Sequence, residues 1–141
     1  MSSKLDPFNE DVLEIMAAID DRLASLRVLI DDTMATTEEE IRAKMNDIVK
    51  RLAERRVRNE AARAELTRSA DRENTVDQIA EWRRTRDTSK LHLRADRLER
   101  SAAAAMYVAA TAMEEAARAC LVALLARREA IALQVRQAEE P

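Results

Sequence analysis

The sequence predicts an all-α fold, from the absence of turn-forming residues, the kind of apolar residues present and their spacing. Glycine is absent, and the only prolines are Pro7 and Pro141. Sandwiches, barrels and doubly wound sheets need such residues in their turns, so these classes are disfavoured. Apolar residues make up 47% of the chain and aromatic residues 2%, which favours close packing of alanine-rich helices. The length of 141 residues is typical of a single domain.

An apolar repeat with spacings of three, four and four residues runs through the first half of the chain. This eleven-residue period, about 3.67 residues per turn, predicts a long, nearly straight helix or a gentle right-handed supercoil. All positions of the repeat except Thr37 are apolar. They are Val12, Ile15, Ile19, Leu23, Leu26, Ile30, Met34, Thr37, Ile41, Met45, Ile48 and Leu52.

The repeat begins after a strong helix start, with Asp6 as the N-cap and Pro7 at the first helical position. We therefore expect helix A over residues 7–68. Thr37 and Glu40 form a capping-box pattern that offers an alternative helix start. Because the apolar spacing keeps its phase through Thr37, one continuous helix is the favoured interpretation.

Cap-forming residues cluster again at 69–75, in the middle of the chain, and predict a turn followed by helix B over residues 75–138. Two helices of equal length with a short connection predict a coiled-coil-like antiparallel hairpin, with residue numbers that add to about 144 facing each other. This register places Leu23 near Leu121. Each helix would be roughly 90 Å long.

A further boundary is possible at residues 86–89, where Asp87 or Thr88 could cap a new helix. If the chain breaks both there and at Thr37, it folds instead as a compact bundle of three or four helices.

The final helix is apolar on more than one side between residues 102 and 135. Such a helix must be covered on more than one side, which a single partner helix cannot do. We therefore expect a homodimer in which two hairpins join their apolar ends into a four-helix bundle. Its predicted core comprises Ile19, Leu23, Leu121 and Leu124.

Charge is divided unevenly, with net −7 over residues 1–49, +5 over residues 50–100 and −1 over residues 101–141. The basic middle section predicts an arm that binds a protein partner, and its lone tryptophan serves either as a packing anchor or as an interaction hot spot. The predicted partner surface comprises Arg55, Arg56, Trp82, Arg83 and Arg84. The leading interpretation is a non-enzymatic interaction or scaffold protein.

Two other functions remain open. The eleven-residue, alanine-rich repeat is similar in its periodicity to that of granule-coating proteins such as phasins, a resemblance that implies a coat on a lipid or polymer surface. The basic arm could alternatively bind nucleic acid, with an affinity that falls steeply as salt rises.

Little in the sequence indicates catalysis. His92 is the only histidine and is expected to be a solvated or partner-facing helix residue. The single cysteine, Cys120, lies in an apolar run and is expected to be buried. We expect no enzyme activity, cofactor or metal site. The polar, acidic first residues suggest no signal peptide, which favours a cytoplasmic location.

Overall fold

The computed structural model describes residues 5–32, 35–72 and 76–140. This part of the chain contains four α-helices and no strand, so the all-α prediction is confirmed. The helices are α1 (Leu5–Asp31), α2 (Glu38–Arg72), α3 (Val76–Thr85) and α4 (Thr88–Glu139). The described part of the structure therefore has four helices, as in the alternative prediction of a three- or four-helix bundle. The prediction of two uninterrupted helices is wrong.

The predicted helix A is divided where the capping pattern lies. The carbonyl of Asp32 accepts hydrogen bonds from the amides of Ala35 and Thr36, each at 3.1 Å, and closes the turn after α1. The hydroxyl of Thr37 then accepts a hydrogen bond from the amide of Glu40 at 3.2 Å, as expected of an N-cap. Continuity of the apolar phase was therefore a weaker signal than the local cap.

The predicted helix B is divided at Arg86, which adopts a left-handed backbone with φ of 55°. The amide of Arg86 donates to the carbonyl of Arg83 at 3.3 Å, and that of Asp87 donates to the carbonyl of Trp82 at 2.9 Å. This pair of bonds is the Schellman motif that ends many helices. The Asp87 carboxylate caps α4 by accepting from the amide of Lys90 at 3.3 Å, so the possible boundary at Asp87 is confirmed.

The turn predicted at residues 69–75 starts too early, because α2 continues to Arg72. Residues 73–75 lie outside the described residues, and α3 begins at Val76.

The chain divides into two compact units. Unit 1 comprises Met1–Ala18 and Arg56–Ala110, and unit 2 comprises Ile19–Arg55 and Thr111–Pro141. The expectation of a single domain over residues 1–141 stays a prediction.

Unit 2 is a bundle of three helical segments, taken from α1, α2 and α4. The α1–α2 connection makes the first two segments antiparallel, and the ammonium of Lys44 reaches back to the hydroxyl of Ser25 at 2.6 Å. Segments α2 and α4 are also antiparallel, because Arg51 contacts Glu114 whereas Thr36, just before α2, contacts Arg128.

These contacts correct the predicted hairpin register. Arg22 of α1 pairs with Glu114, and so does Arg51 of α2. The first part of the predicted helix A therefore runs parallel to α4, and the second part is shifted along it. Neither arrangement follows from a two-helix hairpin, since only the break near Thr37 allows both segments to flank α4.

The core of unit 2 is centred on Ile41 and Leu121, whose exposed fractions are 0% and 1%. Around them the buried cluster includes Leu29, Ile48 and Ala117, with Leu26, Met45, Leu52, Leu124 and Leu125 packed against it.

The buried face of α1 differs from the predicted repeat. Leu29 is buried, whereas Leu23 and Ile30, which the repeat assigned to the apolar stripe, are 40% and 45% exposed. Leu26 and Arg22 lie on the covered side with Leu29. The covered positions are thus separated by four and three residues and include Leu29, which the predicted repeat leaves out.

Unit 1 buries small side chains. Ala62 and Ala110 are 9% and 6% exposed. The guanidinium of Arg58 lies 4.4 Å from the centroid of the Tyr107 ring, a cation–π contact between α2 and α4. Arg58, an arginine of the basic section that is itself exposed, therefore makes a contact within its own chain.

No described helix combines the length and apolar character that crossing a bilayer requires.

Candidate functional site

The most strongly buried carboxylate in the described part of the chain belongs to Glu114 of α4, with a side chain only 3% exposed. Its Oε1 atom accepts from Nε of Arg22 at 2.7 Å. Arg51 donates through Nε to Oε1 and through Nη2 to Oε2, each at 3.2 Å. One carboxylate on α4 thereby ties together α1 and α2, which supply one arginine each.

The sequence places Glu114 in this position because it continues the covered face of α4. Counting along that face, Glu114, Ala117 and Leu121 are separated by three and four residues. Ala117, one turn further on, is buried in the same core cluster as Leu121.

An isolated carboxylate buried in this way would be costly, and two hydrogen-bonded guanidinium groups offset that cost. The side chains of Arg22 and Arg51 remain 42% and 29% exposed, so both cations keep partial hydration. Their pairing with Glu114 stabilises one alignment of α1 and α2 along α4, which the apolar side chains of these helices would not specify by themselves.

A cleft of about 150 Å³ opens beside this cluster. Its apolar floor includes Leu29, Ile48 and Leu121, and Lys44 and Asp47 lie along its rim. The cleft carries both signs of charge, so its composition does not single out one kind of ligand.

The Ser25 hydroxyl and the Lys44 ammonium form the one serine–lysine pair in the lining of this cleft. Lys44 is exposed, and a charged ammonium has no lone pair with which to accept the hydroxyl proton. The pair is therefore an interhelical hydrogen bond, and its geometry does not indicate a nucleophile with a general base.

A second surface lies where α3 meets α4, and we call residues 82–90 the α3–α4 corner. Trp82 is half-buried there, and the ammonium of Lys90 lies 5.8 Å from the centroid of its ring. Arg83 and Arg84 are exposed in the last turn of α3. The corner thus presents part of an aromatic ring among cationic side chains.

The other two residues of the predicted partner surface lie on α2. Arg55 is half-buried, and Arg56 is exposed with its Nε atom 3.6 Å from the Glu60 carboxylate. The predicted surface is therefore divided between two helices, with Arg55 in unit 2 and the other four residues in unit 1.

The predicted dimer core is placed differently for each residue. Leu121 is fully covered within its own chain, and Leu124 packs half-buried against the same cluster. Ile19 is half-buried, and Leu23 is exposed. The burial of Leu121 requires no second copy, and dimerisation itself stays a prediction.

The chain has one cysteine and one histidine. Cys120 is half-buried, so the expectation of a fully buried thiol is wrong. His92 is exposed at the start of α4. In the described ranges, no group of three or more His, Cys, Asp or Glu residues could hold a metal ion.

Sequence reasoning missed the cluster around Glu114, although a signal was available. Both Arg22 and Glu114 fall on the covered faces of their helices, at heptad spacing from Leu29 and Leu121 respectively. Opposite charges in phase with two apolar stripes can meet in a bundle core, but the sequence does not show which stripes face each other.

No protein-family model matches the chain, and no curated protein or solved structure matches it.

Proposed function

We propose that this chain is a non-enzymatic helical interaction protein that binds a protein partner at the α3–α4 corner, self-associates and acts in the cytoplasm. The observation that carries the proposal is the half-buried ring of Trp82, which lies beside the exposed side chains of Arg83 and Arg84. Tryptophan and arginine are the residues most enriched where binding energy concentrates in protein interfaces.

The chemistry of the corner suggests the kind of partner. Four cations, Arg83, Arg84, Arg86 and Lys90, accompany one carboxylate, Asp87, in residues 82–90. Arginine provides planar, multiple donors that suit carboxylates. A helical segment with glutamate or aspartate residues around one bulky apolar side chain would complement both the charges and the exposed part of the ring.

Local hydrogen bonds hold the backbone of the corner at both helix ends. The bonds that the amides of Arg86 and Asp87 donate end α3, and the Asp87 carboxylate starts α4. Because these hydrogen bonds restrict the backbone that carries Trp82, they lower the entropic cost that a partner has to bear on binding.

Quantitative capture from a cell extract tests this proposal. The full-length protein, the Trp82→Ala variant and the Arg83→Glu/Arg84→Glu variant are immobilised in equal amounts. Arg118→Glu is the control, because Arg118 is exposed on α4 and lies in unit 2. We expect a protein that the wild type and the control retain and that both corner variants lose. Equal retention by all four would overturn the proposal.

The same experiment distinguishes a protein partner from the two other functions, nucleic-acid binding and a granule coat. Nucleic-acid binding predicts that nuclease treatment removes the difference between wild type and the Arg83→Glu/Arg84→Glu variant, whereas binding of an acidic protein partner is insensitive to nuclease. A granule coat, which exposed apolar side chains such as Leu13 and Val57 would favour, predicts retention on a neutral polymer surface that is insensitive to Trp82→Ala. Either result would replace the proposed protein partner.

A further inference from the structure

The C-terminal end of α4 extends beyond the part of the helix that the bundle of unit 2 covers. Arg128 donates a hydrogen bond to the carbonyl of Thr36 in the α1–α2 connection. From there on, every residue from 129 to 140 is exposed, although the helix continues to Glu139. We call residues 129–139 the overhang.

The overhang continues the apolar face of the core. Leu121, Leu124 and Arg128 lie on the covered side of α4, and Ile131 and Val135 follow with the same alternation of three and four residues. Their exposed fractions are 52% and 50%. Unlike a helix end that simply projects into water, which would be polar all round, the overhang keeps an apolar stripe that its own chain does not cover.

The charges beside this stripe are self-complementary. Residues four apart form one ridge along a helix, and the ridge through the overhang reads Arg127, Ile131, Val135, Glu139. If a second copy of this ridge is laid against it in the antiparallel sense, Arg127 faces Glu139, and Ile131 faces Val135. The same pairs then recur on the other side of the two-fold axis, as an isologous interface requires.

We propose that the overhang is the self-association site of this protein and that its occupant is the overhang of a second copy, packed antiparallel about a two-fold axis. This inference rests on the self-association in the proposed function, and it moves the interface from the predicted core to Ile131 and Val135. About a dozen residues from each chain take part, fewer than the roughly 20–30 per side of standard interfaces. The dimer is therefore weak and concentration-dependent.

Sedimentation equilibrium over a roughly hundredfold range of protein concentration tests the inference. The wild type is expected to shift from 16.0 kDa toward twice that mass. The Ile131→Glu/Val135→Glu variant is expected to stay monomeric. Both side chains are exposed in the single chain, so the variant keeps its helical circular dichroism spectrum. Leu133→Glu is the matched control, since Leu133 is equally exposed but lies about 200° around the helix from Ile131.

A charge exchange tests the antiparallel arrangement. Arg127→Glu and Glu139→Arg are each expected to weaken association about two- to fivefold, because each sets like charges against one another. Together they restore the opposite-charge pairs and the wild-type affinity. If the double variant loses as much association affinity as the two single variants lose in combination, the antiparallel arrangement is overturned.

The outcomes also separate this inference from the proposed function. If the wild type associates, Leu23→Asp abolishes association, and Ile131→Glu/Val135→Glu does not, self-association stands but the overhang is not its site. If Leu133→Glu is as damaging as the Ile131 and Val135 changes, the ridge is not the interface. If the wild type stays monomeric throughout, both the inference and the self-association are overturned.

Discussion

Arg51 approaches Glu114 with two parallel donors, Nε to Oε1 and Nη2 to Oε2, both at 3.2 Å. This paired geometry fixes both the distance and the orientation of α2 against α4. Arg22 adds a third hydrogen bond at 2.7 Å from α1. A carboxylate that is almost completely removed from water is therefore satisfied by two helices at once.

We expect Glu114→Gln to lower the free energy of unfolding by about 1–3 kcal/mol, because a neutral amide leaves the donors of Arg22 and Arg51 poorly matched in a buried site. The matched control is Glu115→Gln, since Glu115 is the next residue and is exposed. Its effect should stay within about 0.5 kcal/mol. Urea unfolding followed by circular dichroism measures both. Equal effects of the two substitutions would show that Glu114 is not buried as described.

We expect Ile41→Ala to lower the free energy of unfolding by about 2–5 kcal/mol, since it removes a fully buried side chain and leaves a cavity. Ile41 is 0% exposed, whereas Val49 on the same helix is 45% exposed. Val49→Ala should therefore cost much less in the same urea titration. A small effect of Ile41→Ala would place the core of unit 2 elsewhere.

Thr37→Ala distinguishes the observed break from a continuous helix. If Thr37 is the N-cap of α2, its replacement removes the hydrogen bond to the amide of Glu40 and lowers the free energy of unfolding by about 0.5–2 kcal/mol. If the helix were continuous, alanine would instead raise stability through its higher helix propensity. The sign of the change in urea midpoint decides between them. Thr67→Ala, an exposed position inside α2, is the control and should not lower stability.

Glycine at position 86 should stabilise the protein. The φ of Arg86 is 55°, a region that costs an ordinary residue roughly 1 kcal/mol and glycine very little. We expect Arg86→Gly to raise the free energy of unfolding by about 0.5–1 kcal/mol. Arg84→Gly, two residues earlier in α3, should lower it by up to about 1 kcal/mol. Thermal unfolding of both variants checks that glycine raises stability at position 86 and lowers it at position 84. A lower stability of Arg86→Gly would contradict the left-handed geometry.

Local signals in the sequence predicted more of the fold than long-range pattern did. The all-α class followed from composition, and the caps at Thr37 and Asp87 were both recognised as possible helix starts. The prediction of one continuous helix through Thr37 was wrong because the apolar spacing stays in phase on both sides of the turn. The spacing therefore does not reveal that the helix is interrupted there. A hydrogen bond from the Glu40 amide depends only on neighbouring residues and is therefore easier to anticipate.

The packing could not be predicted in the same way. Two neighbouring stripes on α1, one through Leu23 and Ile30 and the other through Leu26 and Leu29, are both apolar, and sequence spacing does not show which one faces a partner helix. The meeting of Arg22 with Glu114, which lie 92 residues apart, depends on that choice. Trp82, Arg83 and Arg84 lie together at the α3–α4 corner because they are contiguous on one helix, and their role as a partner surface stays a prediction.

The only tryptophan of the chain lies in unit 1, and the only cysteine lies in unit 2. Each unit therefore carries its own native reporter, an indole fluorophore at position 82 and a half-buried thiol at position 120, whose labelling rate rises when its surroundings unfold. Denaturation curves recorded from these two positions coincide if the chain melts as one cooperative body and separate if one unit loosens first. Because the single tryptophan and the single cysteine lie in different units, the cooperativity of unfolding between the units can be measured without a substitution.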